Sequence, residues 1–423
     1  MGFADLYLSK QKGFRPYFTE TPSGQLRFIV VIPAYHEPDL ILSLESLLNC
    51  KRPEGHVEVM IILNMPENDD REKVKHIRHL AEVTAAWIRK YSIPDFRYLL
   101  MDNLVMPLKD AGVGLARKTG MDQAAYRFNI HDNADGTILS FDADSRCETN
   151  YFTAIEETLK TYPSTNGFNL FFEHPVSGND YPDAVYRGII AYELHLRYLN
   201  LFMRYTGFPF AFHTVGSCFG VKADTYVRQG GMNKRKAGED FYFLHKIIPL
   251  GEFREINTTC VIPSPRESDR VPFGTGAAIS KYLASGESGI LTYPPTCFHD
   301  LKQFFQLTGS MFLMSPGELV SSVDMQSPPL KDYLSDIHFV DAIREIRSNS
   351  RSADTFINRF FRWFDAFRII KYLNFACRTC YGQIPVNQAV RTYLNDTDKS
   401  ELQIMVSDAD LLLVLREIEK GRV

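Results

Sequence analysis

Phe28-Ile29-Val30-Val31-Ile32 is an uninterrupted apolar run, and Pro33-Ala34-Tyr35-His36-Glu37 follows it directly. Five apolar residues with no polar alternation suit a strand buried on both faces, which is how parallel strands read. Pro33 is expected to stop it. The same pattern recurs outward from this stretch. Val57–Leu63 reads as a second buried strand closing at Asn64-Met65-Pro66, Phe96–Met101 as a third, and Thr137–Phe141 as a fourth that runs into Asp142-Ala143-Asp144. Helical spacing fills the gaps, in Leu40–Leu48, Glu72–Tyr91 and Gly114–Arg127. Alternating strands and helices predict an α/β domain with a mostly parallel central sheet flanked by helices. Such sheets bind ligands at the carboxyl ends of their strands. His36, Glu37, Asn64, Asp142 and Asp144 all fall there.

Past Asn150 the pattern changes. Phe168–Phe172, Val215–Val221 and Thr259–Ile262 read as strands, and Tyr186–Tyr205 and Asp240–Ile248 as helices. Beyond Leu301 the chain reads as helical, with a break at Ser327-Pro328-Pro329. The expected division is a catalytic-type α/β domain over 1–300 and a mainly helical C-terminal region over 301–423.

Composition narrows the function classes. The 423 residues suit two domains. Lys plus Arg is 47 and Asp plus Glu is 51, a net charge of −4, which does not suit a general nucleic-acid binder. A hydrophobic fraction of 45% and a charged fraction of 23% exclude a disordered chain. The seven cysteines are scattered and odd in number, which fits a reducing, cytoplasmic setting better than a disulfide framework. Cys377 and Cys380 form a lone CxxC without the second ligand pair of a structural zinc site. The N-terminal residues lack a signal-like apolar stretch, and no window of about 20 residues is free of charge, so no transmembrane helix is expected.

Four segments carry candidate chemistry. Asp142 and Asp144 place two carboxylates one residue apart where a buried strand ends. Mg²⁺ and Mn²⁺ take oxygen ligands and commonly share a few carboxylates with substrate phosphates, so the pair suits a metal–diphosphate complex. Glu239-Asp240 opens a helix with Phe241, Leu244, His245 and Ile248 on one stripe. A carboxylate beside another carboxylate gains proton affinity and can serve as a general base. Gly112-Val113-Gly114-Leu115-Ala116-Arg117 reads as a turn before a helix, with Arg117 a candidate for phosphate. Arg266 and Arg270 lie in a segment ending Gly274-Thr275-Gly276, and guanidinium forks match phosphate oxygens.

Pro33–Glu37, Ala116-Arg117-Lys118-Thr119-Gly120, Asp142-Ala143-Asp144 and Gly238-Glu239-Asp240, in this order, resemble the family 2 glycosyltransferases of GT-A fold. The resemblance covers roughly Phe28 to Gly276, about 250 residues. It implies that Pro33, Tyr35 and Glu37 line a nucleotide pocket, that the segment around Arg117 faces the diphosphate, and that Asp142 lies near the ribose and metal. It implies Asp144 as a metal ligand, Asp240 as the base that deprotonates an acceptor, and Glu239 as its support. Val215–Gly220 resembles the acceptor-side strand before the Glu-Asp pair. Three positions depart from the family: His36 and Lys118 stand where Asn is common, and Asn64 where an Asp commonly meets the nucleobase. His299 is a candidate third metal ligand, as some GT-A enzymes use a His there.

The expected activity is a metal-dependent, inverting transfer of a sugar from a nucleotide-diphosphate donor to a hydroxyl acceptor, glycan or lipid-linked, with Mn²⁺ or Mg²⁺. A nucleotidyltransferase on the same fold would carry a glycine-rich basic loop after the first strand, which Pro33–Pro38 lacks. A non-catalytic scaffold subunit of polysaccharide assembly is the alternative from another class, and the intact acidic pairs count against it. Arg359–Tyr372 mixes cationic and aromatic residues, so peripheral membrane contact by an amphipathic helix is weighed against simple packing.

Overall fold

The computed structural model describes residues 2–268, 274–286, 289–404 and 407–422. Eight strands form one sheet: β1 (Leu26–Ala34), β2 (His56–Pro66), β3 (Phe96–Met106), β4 (Thr137–Ser140), β5 (Arg146–Cys147), β6 (Gly167–Phe172), β7 (Phe219–Lys222) and β8 (Phe253–Ile262). Their order is β3-β2-β1-β4-β7-β6-β8-β5. The β3-β2-β1-β4 half is parallel throughout, and β6 also runs parallel to β8. The pairings of β7 with β4 and β6, and of β5 with β8, are antiparallel. The expected mixed α/β architecture, a mostly parallel sheet flanked by helices, is what the chain adopts.

Phe28 to Ile32 have no solvent exposure, as their uninterrupted apolar pattern requires of a strand with neighbours on both edges and helices on both faces. Pro33 does not stop β1, which continues to Ala34 paired with β2 through Pro33↔Ile62. Pairing with β4 ends at Val31↔Ser140, so the N–H that Pro33 lacks has no β4 partner to lose. A second difference lies at Val215–Val221, expected as a strand. Only Phe219–Lys222 is one, because Cys218 N closes a turn onto Val215 O at 2.9 Å.

The chain divides into two compact units. The first is Met1–Pro175 with His213–Pro265 and Asp269–Gly274. The second is Val176–Phe212 with Arg266–Ser268 and Thr275–Val423. This corrects the expected division at residue 300. The helix Asp183–Tyr205 belongs to the helical unit, because its buried face meets the helices Thr275–Ala284, Val386–Asp396 and Asp408–Glu419. A set of buried charges sits there. Glu193 accepts from Arg197 Nε at 2.8 Å and from Arg416 Nε and Nη2 at 2.8 and 2.9 Å, and Arg197 also bonds Glu419. All four are buried.

The aromatic stretch at Arg359–Tyr372 is not one amphipathic helix. Asp365 caps a new helix by accepting from Arg368 N at 2.9 Å, which splits the stretch into Ala353–Trp363 and Ala366–Ala376. Phe360 and Phe364 are fully buried against Phe304 and Phe305, with ring centroids 5.5–6.2 Å apart. Phe360 and Phe364 of the stripe weighed as a membrane face are therefore core of the second unit, while Phe367 stays exposed. Among the described residues, no helix is long and apolar enough to cross a membrane.

Candidate active site

The site begins where β1, β2 and β4 end side by side. Past Ala34 the chain turns through Tyr35 and His36, and His36 takes a left-handed backbone with φ of 50°. Few residues with a Cβ accept that region; Asn, Asp and His do so most readily. The position therefore selects for this small group, which accounts for His where the resembling family has Asn. The His36 ring packs edge-on between Tyr35 and His76, at 5.2 and 5.5 Å, and burial lowers its proton affinity. Tyr35 Oη donates to Asp69 Oδ1 at 3.1 Å. Glu37 is buried and accepts from Asp39 N at 3.3 Å.

Asn64 sits at a register shift between β2 and β3. Its amide nitrogen donates to Ala34 O at 2.9 Å and to Ile62 O at 3.1 Å. Both amide hydrogens are thus spent on backbone. An amide can both donate and accept, but here only its Oδ1 remains for a ligand.

Asp142-Ala143-Asp144 forms the turn after β4, and Ser145 N closes it onto Asp142 O at 3.1 Å. The helix Leu40–Leu48 holds this turn. Ser43 Oγ donates to Ser145 O, and Ser46 Oγ accepts from Cys147 N at 2.7 Å. Beyond the helix end, Cys50 Sγ lies 3.5 Å from Cys147 Sγ, where burial pushes the Cys147 thiol up. These serines were missed in the sequence. The signal was present, since Ser43 stands in the apolar stripe Leu40, Leu44, Leu47 and so had to find a polar partner inside.

Arg117, on the helix Val113–Ile130, brings the two acidic motifs together. Its Nε donates to Glu239 Oε1 at 3.1 Å and its Nη2 to Asp142 Oδ1 at 2.8 Å. Its Nη1 bonds Gly216 O at 3.1 Å and also Ser140 Oγ, which itself donates to Gly216 O at 2.6 Å. Burial works against its charge, but Asp142 and Glu239 overcome that and hold the guanidinium protonated.

Glu239 and Asp240 open the helix Glu239–Ile247 after Gly238, whose φ of 68° needs a glycine-like residue. Glu239 is buried, and its carbonyl accepts from Asn233 Nδ2 at 2.9 Å. Asp240 Oδ1 accepts from Phe241 N at 2.7 Å. Burial, and next the charge of Glu239, push the Asp240 carboxyl up to about 7, against the pull of Arg117. Gly216 closes the cluster. A Cβ there would stand 2.9 Å from Arg117 Nη2 and 3.1 Å from Asp240 Oδ2. Gly112 and Gly114 admit the neighbouring backbone of Arg235 and Lys236, which a Cβ would meet at 2.1 and 2.8 Å. They serve chain packing.

Asp142, Asp144, Arg117, Glu239 and Asp240 are thus gathered at one strand edge, with Pro33, Tyr35, Glu37 and Asn64 at the neighbouring strand ends. The other candidates fall in the second unit or outside the described residues. Arg266 is assigned to the second unit, and Arg270 lies outside the described residues. His299 also belongs to the second unit, on the helix Pro295–Gln306, with Nε2 2.7 Å from Asp396 Oδ2. That nitrogen is engaged by a carboxylate of its own unit, so the expected third metal ligand is not supplied by it. Among the described residues, no three His, Cys, Asp or Glu side chains gather to hold a metal.

Lys118, the other departure from the resembling family, donates to Asp122 Oδ2 at 2.8 Å and Tyr7 Oη at 3.0 Å. Tyr7 and Tyr226 both donate to Asp122 Oδ1 at 2.6 Å. The substitution is therefore absorbed by a buried polar knot.

No known family profile matches the chain, and no curated protein matches it. Similar solved structures include residues 1–349 of S. aureus TarS, at 13% identity over 81% of this chain and 91% of that chain, with a TM-score of 0.39. The same TarS segment in complex with UDP-GlcNAc is 12% identical over 94% of this chain and 93% of that one, with a TM-score of 0.39. In complex with UDP it is 12% identical over 81% and 93%, with a TM-score of 0.40. At such values the function has to be argued from the site itself.

Proposed function

We propose that the chain is a glycosyltransferase that moves a sugar from a nucleoside-diphosphate donor to a hydroxyl acceptor. The observation that carries this reading is an unbalanced charge cluster at the strand edge. One guanidinium, Arg117, faces Asp142, Glu239 and Asp240, and Asp240 is left with proton affinity near neutrality. A carboxylate that titrates near pH 7 suits removal of a proton from an attacking hydroxyl. Asp240 Oδ1 is held by the Phe241 N–H, and Oδ2 is the oxygen that takes the proton. One base acting in one displacement inverts the anomeric centre, by the reasoning that separates inverting from retaining hydrolases.

The surplus of carboxylates also bears on the cation. A diphosphate approaching Asp142, Glu239 and Asp240 is repelled unless positive charge accompanies it. Two carboxylates at a strand end fit Mg²⁺ or Mn²⁺, which complete their shell with water and substrate phosphates rather than a protein cage. Asp144 and the Asp142 oxygen not bonded to Arg117 would hold the ion, which would neutralise charge building on the leaving diphosphate. Arg117 itself is set aside as a phosphate ligand, since it is buried and four of its five N–H donors are committed inside the cluster.

The test is release of nucleoside diphosphate from a panel of nucleotide sugars, with Mn²⁺ or with chelator. Release that depends on Mn²⁺ and is lost in Asp240→Asn supports the reading; no release from any donor overturns it. For the ion, calorimetry of nucleoside diphosphate with Asp144→Ala should show no Mn²⁺-dependent affinity. An affinity that chelator does not change in the wild type would remove the metal.

A further inference from the structure

We propose that Arg117 is a positioning residue that joins the donor half of the site to the base half. It holds Asp142 and Glu239 in one fixed arrangement and leaves the phosphates to other groups. The inference rests on the transferase reading above and assigns a role within it.

The guanidinium has five N–H donors in a fixed plane. Four are committed: one to Glu239, one to Asp142, and two to Gly216 O and Ser140 Oγ. At 2% exposure the side chain has no open face to offer a ligand. The four partners come from three separate stretches of chain. Ser140 ends β4, Asp142 lies in the turn beyond it, Gly216 lies in the loop before β7, and Glu239 opens the helix that carries Asp240. One side chain therefore sets the separation between the carboxylate on the donor side and the helix that bears the base. Gly216 has room for the guanidinium because it lacks a Cβ, and the same missing atom admits Asp240 Oδ2. Transfer depends on reacting groups being held within fractions of an ångström, so a loosened clamp costs turnover while the donor's own contacts survive.

Lysine distinguishes this role from mere charge neutralisation. It keeps the positive charge but offers a single nitrogen, which cannot reach four partners in a plane. Arg117→Lys is expected to lower kcat at least about 10²-fold while the nucleoside diphosphate Kd, measured by calorimetry with Mn²⁺, moves less than about threefold. Near-UV circular dichroism checks that the variant is folded. Ser140→Ala removes one partner without touching a charge, and serves if Arg117→Lys does not fold. It is expected to lower kcat about five- to tenfold at unchanged Kd.

A Kd weakened more than about threefold in either variant would mean that Arg117 acts through donor binding rather than through the base half, and would overturn the proposal. So would wild-type kcat in a folded Arg117→Lys. Absence of turnover in the wild type is a different outcome: it overturns the transferase reading, and the positioning role with it.

Discussion

The molecule holds two buried clusters built from the same side chains, and they differ in their arithmetic. In the helical unit, Arg197 and Arg416 are paired with Glu193, and Arg197 also with Glu419. At the strand edge, Arg117 faces Asp142, Glu239 and Asp240. In the first cluster each of these carboxylates meets a guanidinium directly. The second carries a surplus that is expressed as an acid of altered strength. Buried charge alone does not mark a site; its imbalance does.

The sharpest way to break this comparison is to remove one acid from each cluster. Asp240→Asn keeps shape and most hydrogen bonds, and turnover should fall by about 10²–10⁴-fold with donor affinity kept. Near wild-type transfer would move the base to Glu239 or elsewhere. Glu193→Gln strips the carboxylate between two buried arginines. It should cost about 3–5 kcal/mol in chemical denaturation, because the remaining charges are left uncompensated. A loss under about 1 kcal/mol would show that the cluster is looser than its geometry.

The pH profile gives a smaller effect. In the proposed role Asp240 would act as a base only when ionised, and its folded-state proton affinity is raised to about 7. Turnover should therefore rise with pH and level off above about 7, falling about tenfold per unit on the acid side. The acid limb should vanish in Asp240→Asn. A limb near pH 4 instead would mean that the cluster is better solvated than its burial implies.

How much of this could be read in advance depends on distance along the chain. The strand pattern at Phe28–Ile32 and the pairs Asp142/Asp144 and Glu239/Asp240 are local, and their placement at strand and helix ends was legible. Arg117 was visible as a candidate, but its role was not. Its partners Gly216 and Glu239 lie 99 and 122 positions away, and no periodicity reports such a meeting. The helix Asp183–Tyr205 was recognised as a helix yet assigned to the other body, since the residues that claim it lie far downstream, Arg416 223 positions beyond Glu193. His36 was legible only as a departure. Its backbone angle supplies the reason that a short set of residue types can stand there.

The buried charge cluster of the helical unit also has a consequence for how the chain is made. Glu193 and Arg197 leave the ribosome long before Arg416 and Glu419, which follow them by 222 to 223 positions. At about 5–20 residues per second, that interval lasts about 10–45 s. Throughout it, the Asp183–Tyr205 helix lacks the part of its packing that Asp408–Glu419 supplies. The helical unit therefore cannot reach its final state until synthesis has passed Glu419.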